Sequence, residues 1–310
     1  MLLKLLSVFS AAISYALHRN VFKAAITFVI TSIVFSPLII HLIPRKACSK
    51  LMGRIMKIKL GPLTPSAIRL YMKATKVNPE TVSAPITNYK SIQQFFNRDI
   101  DLEKRGLTKL NNKFQISNPL QNAIYVPADS KLAHQGYFTP NEHTTAKVKG
   151  IDFTAEQLLQ LDAKPQYKMH FSVFYLSPAD YHTYHVPFDF KLEHINYVPG
   201  DLWPVNTKFM GRINGLLAVN ERVVLSGKWG TRRAFVVPVG ALNVGSIHLF
   251  GFQINPGQKF NTPYEYVAGQ PLGNFSFGST VVLAFEVEEN EVVTMVGDNV
   301  QVGAIAGMIK

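Results

Sequence analysis

Apolar positions are distributed unevenly along the 310 residues. Ala24 to Ile43 is a run of twenty residues without a charged side chain. At ~1.5 Å per residue such a helix covers about 30 Å, the thickness of a bilayer's hydrocarbon core. Pro37 lies inside it, which a membrane helix tolerates. Met1–Leu17 is also apolar, with Lys4 near its start. It reads as a second membrane-associated stretch, spanning, interfacial or removed as a signal; no convincing small-residue cleavage site lies around Ala11 to Ala16. Thr64-Pro65 predicts the start of a short basic helix over 64–76, with Thr64 as its N-cap. Asn88 to Phe96 predicts another, with Ile92, Phe95 and Phe96 on its apolar face. Beyond residue 120 the pattern changes to short apolar runs between turn residues: Phe171–Leu176, Arg222–Leu225, Ala234–Val239 and Thr280–Val287. In the last run Val281, Leu283, Phe285 and Val287 alternate with Thr280, Val282, Ala284 and Glu286. Both faces are largely apolar, which predicts a buried strand. The expected fold is α+β: a helical, membrane-associated N-terminal part over residues 1–60, then one β-rich catalytic domain over 61–310.

Charge adds a partner to this picture. The net charge of +12 calls for something anionic. Arg45, Lys46, Lys50, Arg54, Lys57 and Lys59 cluster directly after the apolar run, where they suit anionic lipid headgroups. Only Arg19 and Lys23 stand immediately before it, so the positive-inside rule places the C-terminal domain on the cytoplasmic face. Zinc-finger spacing, a basic heptad arm and an Arg-rich tail are all missing from the sequence, so nucleic acid is not the expected partner. Cys48 is the single cysteine, which rules out an internal disulfide framework and fits a reducing compartment.

Three short stretches carry candidate chemistry. Leu176-Ser177-Pro178-Ala179-Asp180-Tyr181-His182-Thr183-Tyr184-His185-Val186-Pro187 follows an apolar run and ends at a proline, as a loop or strand edge would. Two histidines three apart suggest a metal pair, but no cysteine or acidic pair nearby completes a zinc set, and no metal is expected. The plainer alternative is two hydrogen-bonded histidines. Val126-Pro127-Ala128-Asp129-Ser130 puts a carboxylate in a turn, either as an Asx-turn or to orient an imidazole. Phe277-Gly278-Ser279-Thr280 places an unhindered Gly-Ser bond before the buried strand. That bond is either an ordinary turn or a site where the hydroxyl attacks the preceding carbonyl. Asp129, His185 and Ser279 together make a possible orienter–base–nucleophile set, although spacing alone does not show that they meet.

Taken together, these stretches resemble the phosphatidylserine decarboxylase family from about residue 55 to the C-terminus. The ordered matches include Ser91-Ile92-Gln93-Gln94-Phe95-Phe96-Asn97-Arg98, Val126-Pro127-Ala128-Asp129, Tyr175-Leu176-Ser177-Pro178 and Asp180-Tyr181-His182 with His185. They continue through Tyr197-Val198-Pro199-Gly200-Asp201-Leu202, Asn220-Glu221-Arg222-Val223, Val239-Gly240-Ala241 and Gly278-Ser279-Thr280. The resemblance implies conversion of phosphatidylserine to phosphatidylethanolamine and carbon dioxide in phospholipid biosynthesis. It implies self-cleavage between Gly278 and Ser279 into a β chain, 1–278, and an α chain, 279–310. Ser279 would become a covalent pyruvoyl group that forms a Schiff base with the substrate amine, and no other cofactor is implied. His185 matches the maturation base, Asp129 its orienting partner, and His182 the histidine of substrate handling and protonation. The implied partners are phosphatidylserine, an anionic membrane surface and the chain's own two fragments; a homo-oligomer stays open. Ser130 where the family usually has Gly, Ala179 before Asp180-Tyr181-His182 where Arg is frequent, and Phe277 before the bond mark a divergent branch. Two other readings are a membrane serine hydrolase using Ser279, His185 and Asp129, and a lipid-binding relative that never cleaves.

Overall fold

The computed structural model describes residues 44–140, 153–163, 165–205, 213, 215–242, 247–276 and 279–310. The expected apolar helix at 24–43, the Met1–Leu17 stretch, Phe277 and Gly278 lie outside the described residues. Among the described residues, no helix is long and apolar enough to cross a membrane.

Helices come first along the chain. Arg45–Met56 (α1) buries Ser49, Met52 and Met56, three and four residues apart, and leaves its charged side chains outside. Thr64–Thr75 (α2) buries Thr64, Ile68, Tyr71 and Thr75 by the same rule. Its bounds match the sequence reading, but its cap does not. Leu63 occupies the cap position and Thr64 is already helical, with its buried hydroxyl unpartnered. A preceding 3₁₀ turn over Gly61–Leu63 runs directly into the helix and displaces Thr64 from the extended backbone that capping requires. The helix stops at Lys76, whose φ of 64° is left-handed. Ile92–Phe96 (α3) is shorter than expected because Ser91, extended at its start, caps it by accepting from the Gln94 N–H at 3.2 Å.

The strands begin with a hairpin, Leu107–Leu110 (β1) and Lys113–Ile116 (β2). Asn111 and Asn112 turn it with φ of 48° and 62°, the two left-handed positions of a tight hairpin. The hydrophobic pattern did not reveal this hairpin, because β1 exposes three of its four residues. Ala123–Tyr125 (β3) and Ser130–Phe138 (β4) follow, then the helical turn Ala155–Leu159 (α4). Next come Met169–Leu176 (β5), Thr183–His185 (β6) and Phe190–Val198 (β7). After the short helix Leu216–Val219 (α5) come Arg222–Trp229 (β8), Arg232–Val239 (β9) and Ile247–Leu249 (β10). Lys259–Tyr266 (β11), Pro271–Phe275 (β12), Ser279–Glu286 (β13), Val293–Met295 (β14), Asn299–Val300 (β15) and Ile305–Ile309 (β16) complete the chain.

Eight strands form one antiparallel sheet in the order β11-β7-β8-β9-β13-β5-β4-β15. The strand read as buried from its sequence, β13, lies between β9 and β5, and every residue from Ser279 to Phe285 is buried. Phe285 packs edge-on to Trp229, which stacks on Phe188 at 4.5 Å between ring centres. Among the described residues the molecule is therefore mostly sheet, and the β-rich expectation holds. Two small sheets, β10-β12-β6 and β14-β16-β3, are added to the large one. Gly273 makes the first of these possible. A Cβ there would stand 2.1 Å from the His248 carbonyl oxygen and 2.4 Å from the Tyr184 hydroxyl, so only glycine fits between β10 and β6.

Candidate active site

Leaving β5, the chain makes a tight turn in which Asp180 accepts the Ser177 N–H on its carboxylate at 2.6 Å. That turn delivers Tyr181 and His182 to the start of β6, which ends at His185. Both histidines are wholly buried. His182 donates from Nδ1 to the Asp180 carbonyl at 2.9 Å, and its ring lies 4.0 Å from that of Phe96. The carbonyl can only accept, so Nδ1 carries the proton and Nε2 the lone pair. That Nε2 is buried without a partner. His185 is oriented the same way: Nδ1 donates to the Gly269 carbonyl at 2.7 Å, and Nε2 faces the Tyr181 hydroxyl at 3.2 Å. Burial pushes His182 down to about 3 and His185 down to about 4, so both are neutral at physiological pH.

Ser279 is the first residue of β13, with its Cα paired to Leu176 of β5. It is wholly buried, and its Oγ has no hydrogen-bond partner. An unpaired buried hydroxyl costs about 1–3 kcal/mol, and the strand carries two at its start, since the Thr280 hydroxyl is buried and unpartnered as well. The segment leading to it is held from two sides. The Phe275 N–H donates to the His182 carbonyl at 3.2 Å, and the Asn97 side-chain amide donates to the Phe275 carbonyl at 2.7 Å.

Asp129 lies in the turn before β4, as its sequence suggests. Its carboxylate accepts from Arg105 at 3.1 Å and from the Val302 N–H at 2.9 Å. Burial raises its pKa, against the pull of the Val302 N–H and of Arg105 and Arg98. The hydrogen bonds therefore do not string Ser279, His185 and Asp129 into one relay. The His185 backbone does reach this turn, its N–H donating to the Pro127 carbonyl at 2.7 Å. The proton on His185 Nδ1 is held by Gly269. Tyr181 meets His185 through its hydroxyl; burial chiefly raises its phenol pKa, Thr183 lowers it, and Asp99 and Asp129 raise it further.

Gly269, Tyr181, Arg105 and Asn97 thus join the site without having been singled out individually. For Asn97 and Tyr181 a signal existed, since both fall inside the matched stretches. Gly269 and Arg105 act across 84 and 24 positions, through a carbonyl and an ion pair that no motif marks.

The sequence model of the family described as phosphatidylserine decarboxylase matches residues 92–307. The chain is similar to the phosphatidylserine decarboxylase proenzyme of Brevibacillus brevis, 33% identical over 267 residues that cover 82% of this chain and 90% of the relative. It is similar to the proenzyme of the same name from Bacillus subtilis, 31% identical over 274 residues covering 87% and 94%. That of Plasmodium falciparum is 30% identical over 268 residues covering 78% and 70%.

Proposed function

The chain belongs to the phosphatidylserine decarboxylase family, and from that premise we propose that it cuts itself at Gly278-Ser279 and then decarboxylates phosphatidylserine to phosphatidylethanolamine. The observation that carries this reading is the Ser279 hydroxyl, wholly buried and unpartnered at the start of the central strand.

In maturation, Ser279 Oγ attacks the Gly278 carbonyl carbon. The peptide C–N bond breaks as the C–O bond forms, leaving an ester and a free amine. His185 Nε2 is the base that takes the hydroxyl proton; the Gly269 carbonyl fixes the tautomer that puts the lone pair on this nitrogen, and the Tyr181 hydroxyl that now occupies it at 3.2 Å gives way. Removal of the Ser279 α-proton then expels the Gly278 carboxylate and leaves an enamine. Water hydrolyses the enamine to ammonia and a pyruvoyl group. Asp129 supports maturation as the carboxylate beside Tyr181, held in place by Arg105 and Val302.

A ketone carbonyl at residue 279 supplies an electron sink for loss of the substrate carboxylate. The position fits such a group, because Ser279 is wholly buried and paired with the apolar Leu176. His182 presents a neutral Nε2 with no other task. Its low pKa leaves it unprotonated at neutral pH, and the proton it takes up is the one the substrate ammonium sheds before its nitrogen attacks the ketone, held there beside the anionic headgroup. It then returns that proton to carbon, the general-acid step of turnover.

We place the enzyme at an anionic membrane surface, on the cytoplasmic face. In support, exposed Leu51, Ile58 and Leu63 alternate with Lys50, Arg54, Lys57 and Lys59 along α1 and the turn after it. Trapping the protein in sealed vesicles and adding protease outside tests the orientation; digestion of the catalytic domain in right-side-out vesicles overturns it.

Intact-protein mass spectrometry tests the core of the proposal. Two chains, 1–278 and 279–310, the latter blocked by pyruvoyl, are expected. A single uncleaved chain in decarboxylating protein defeats the reading. A serine hydrolase fits the site less well, since Ser279 opens a buried strand and lacks the Gly-x-Ser-x-Gly elbow between strand and helix.

A further inference from the structure

A cavity of about 450 Å³ opens between the end of α2, the turn after β5 and the chain around β15. Four cationic side chains line it, Lys76, Arg98, Arg105 and Lys131, against two carboxylates, Asp129 and Asp180. Both carboxylates are engaged: Asp129 by Arg105 and Val302, Asp180 by the Ser177 N–H. The cations are not equally satisfied. Arg98 is 2% exposed, gives Nη2 to the Ala179 carbonyl at 2.6 Å, and has no acceptor for Nε or Nη1. Arg105 gives Nη2 to Asp129 and has no acceptor for Nη1.

Two of the lining residues thus hold three guanidinium nitrogens that lack acceptors, buried directly behind the cavity surface. A buried guanidinium is costly without matching oxygens, and it gains most from an acceptor that presents several at once. Ser177, Asn78 and Thr81 add polar groups to the lining, and Lys76 and Lys131 lie exposed. The cavity shares Asp129 and Tyr181 with the surroundings of His185, but its floor faces away from Ser279. Its lining residue Tyr175 pairs with Thr280, so it lies on the opposite face of the sheet from the Leu176–Ser279 pair.

We propose that this cavity binds a phosphate group, with Arg98 and Arg105 as its principal ligands and Lys76 and Lys131 steering the anion in. A tetrahedral oxyanion supplies acceptors to both guanidinium groups together, which a carboxylate does less well across two side chains. The same chemistry is offered by free inorganic phosphate and by the phosphodiester of a phospholipid headgroup. Only the headgroup source rests on the decarboxylase reading.

The test is calorimetric titration of the full-length protein with inorganic phosphate and, separately, with glycerophosphoserine, using wild type, Arg105→Gln and Arg98→Met. Saturable binding to wild type is expected, weakened about tenfold or more in each variant by loss of charge-assisted hydrogen bonds. Tighter binding of glycerophosphoserine than of phosphate identifies the headgroup as the source; the reverse order identifies the free ion. Because Arg98 is buried and its loss can unfold the chain, Arg105→Gln carries the test if Arg98→Met does not fold. Absence of saturable binding by wild type, or equal affinity in the folded variants, overturns the site. Chain masses and decarboxylation are read on the same samples. Cleaved, active protein that binds neither anion sinks the phosphate site and leaves the decarboxylase reading standing.

Discussion

At Ser279, His185 and His182 the burial of each polar atom sets its availability for chemistry. Ser279→Ala removes an unpartnered hydroxyl and leaves a methyl that β13 accommodates, so the variant is expected to fold as one uncleaved, inactive chain. Retained decarboxylation would refute the assigned role. The two histidines separate in time. His185→Ala is expected to slow self-cleavage about 10²–10⁴-fold, the usual contribution of a positioned base. His182→Ala should cleave and then turn over more slowly by a similar factor. Cleavage time courses and single-turnover rates on the two variants check the division, and normal cleavage in both would break it. The residue types were legible in the sequence: an imidazole pair, a carboxylate in a turn and a Gly-Ser bond. Their hydrogen bonds were not. Gly269 holds His185 through its backbone carbonyl, an atom every residue possesses, and Arg105 takes the Asp129 oxygen that the sequence reading reserved for His185.

Among the elements, β12 and α3 position the site without supplying a reacting atom. Pro271 of β12 pairs with His185 of β6, and Gly273 admits β10 and β6 on either side. Gly273→Ala would force a methyl against the His248 carbonyl, at an expected cost of about 1–3 kcal/mol, and would shift β6. Chemical denaturation should show the loss, and cleavage should slow with it; unchanged stability would mean that β10 can move aside freely. Ser91→Ala removes the cap of α3, with an expected loss of about 1 kcal/mol. Because α3 leads directly to Asn97 and its tether on Phe275, slower cleavage should accompany the lost stability. The element pattern was readable where burial was one-sided or complete, as in α2 and β13. It failed for the β1–β2 hairpin, whose exposed residues carry no hydrophobic period and whose only mark is the Asn111-Asn112 turn.

At the scale of the whole molecule, three of the described histidines are buried in neutral form, and this links stability to pH. Burial holds His170 and His182 at about 3 and His185 at about 4, against 6.5 for the free side chain. Below 6.5 the unfolded chain takes up protons that the folded chain refuses. Stability is therefore full above 6.5 and falls as pH drops toward 4 and 3, by up to about 1.4 kcal/mol per pH unit for each histidine. Asp129 and Asp180, raised by burial, act oppositely, their cost at neutral pH being relieved as they protonate in acid. Denaturation midpoints should fall between neutral pH and about pH 5, where the histidines dominate. A flat profile would contradict neutral, buried imidazoles. The sequence by itself determined the buried central strand, the basic flank after the apolar run, the family and the residue types of the site, because periodicity, charge and ordered motifs are local properties of a chain. Only the tertiary structure decided what each polar atom touches: Gly269 on His185, Arg105 on Asp129, and two guanidinium groups sharing one cavity wall. Those contacts join residues far apart in the chain, and a buried donor takes whichever acceptor the packed sheets leave within reach.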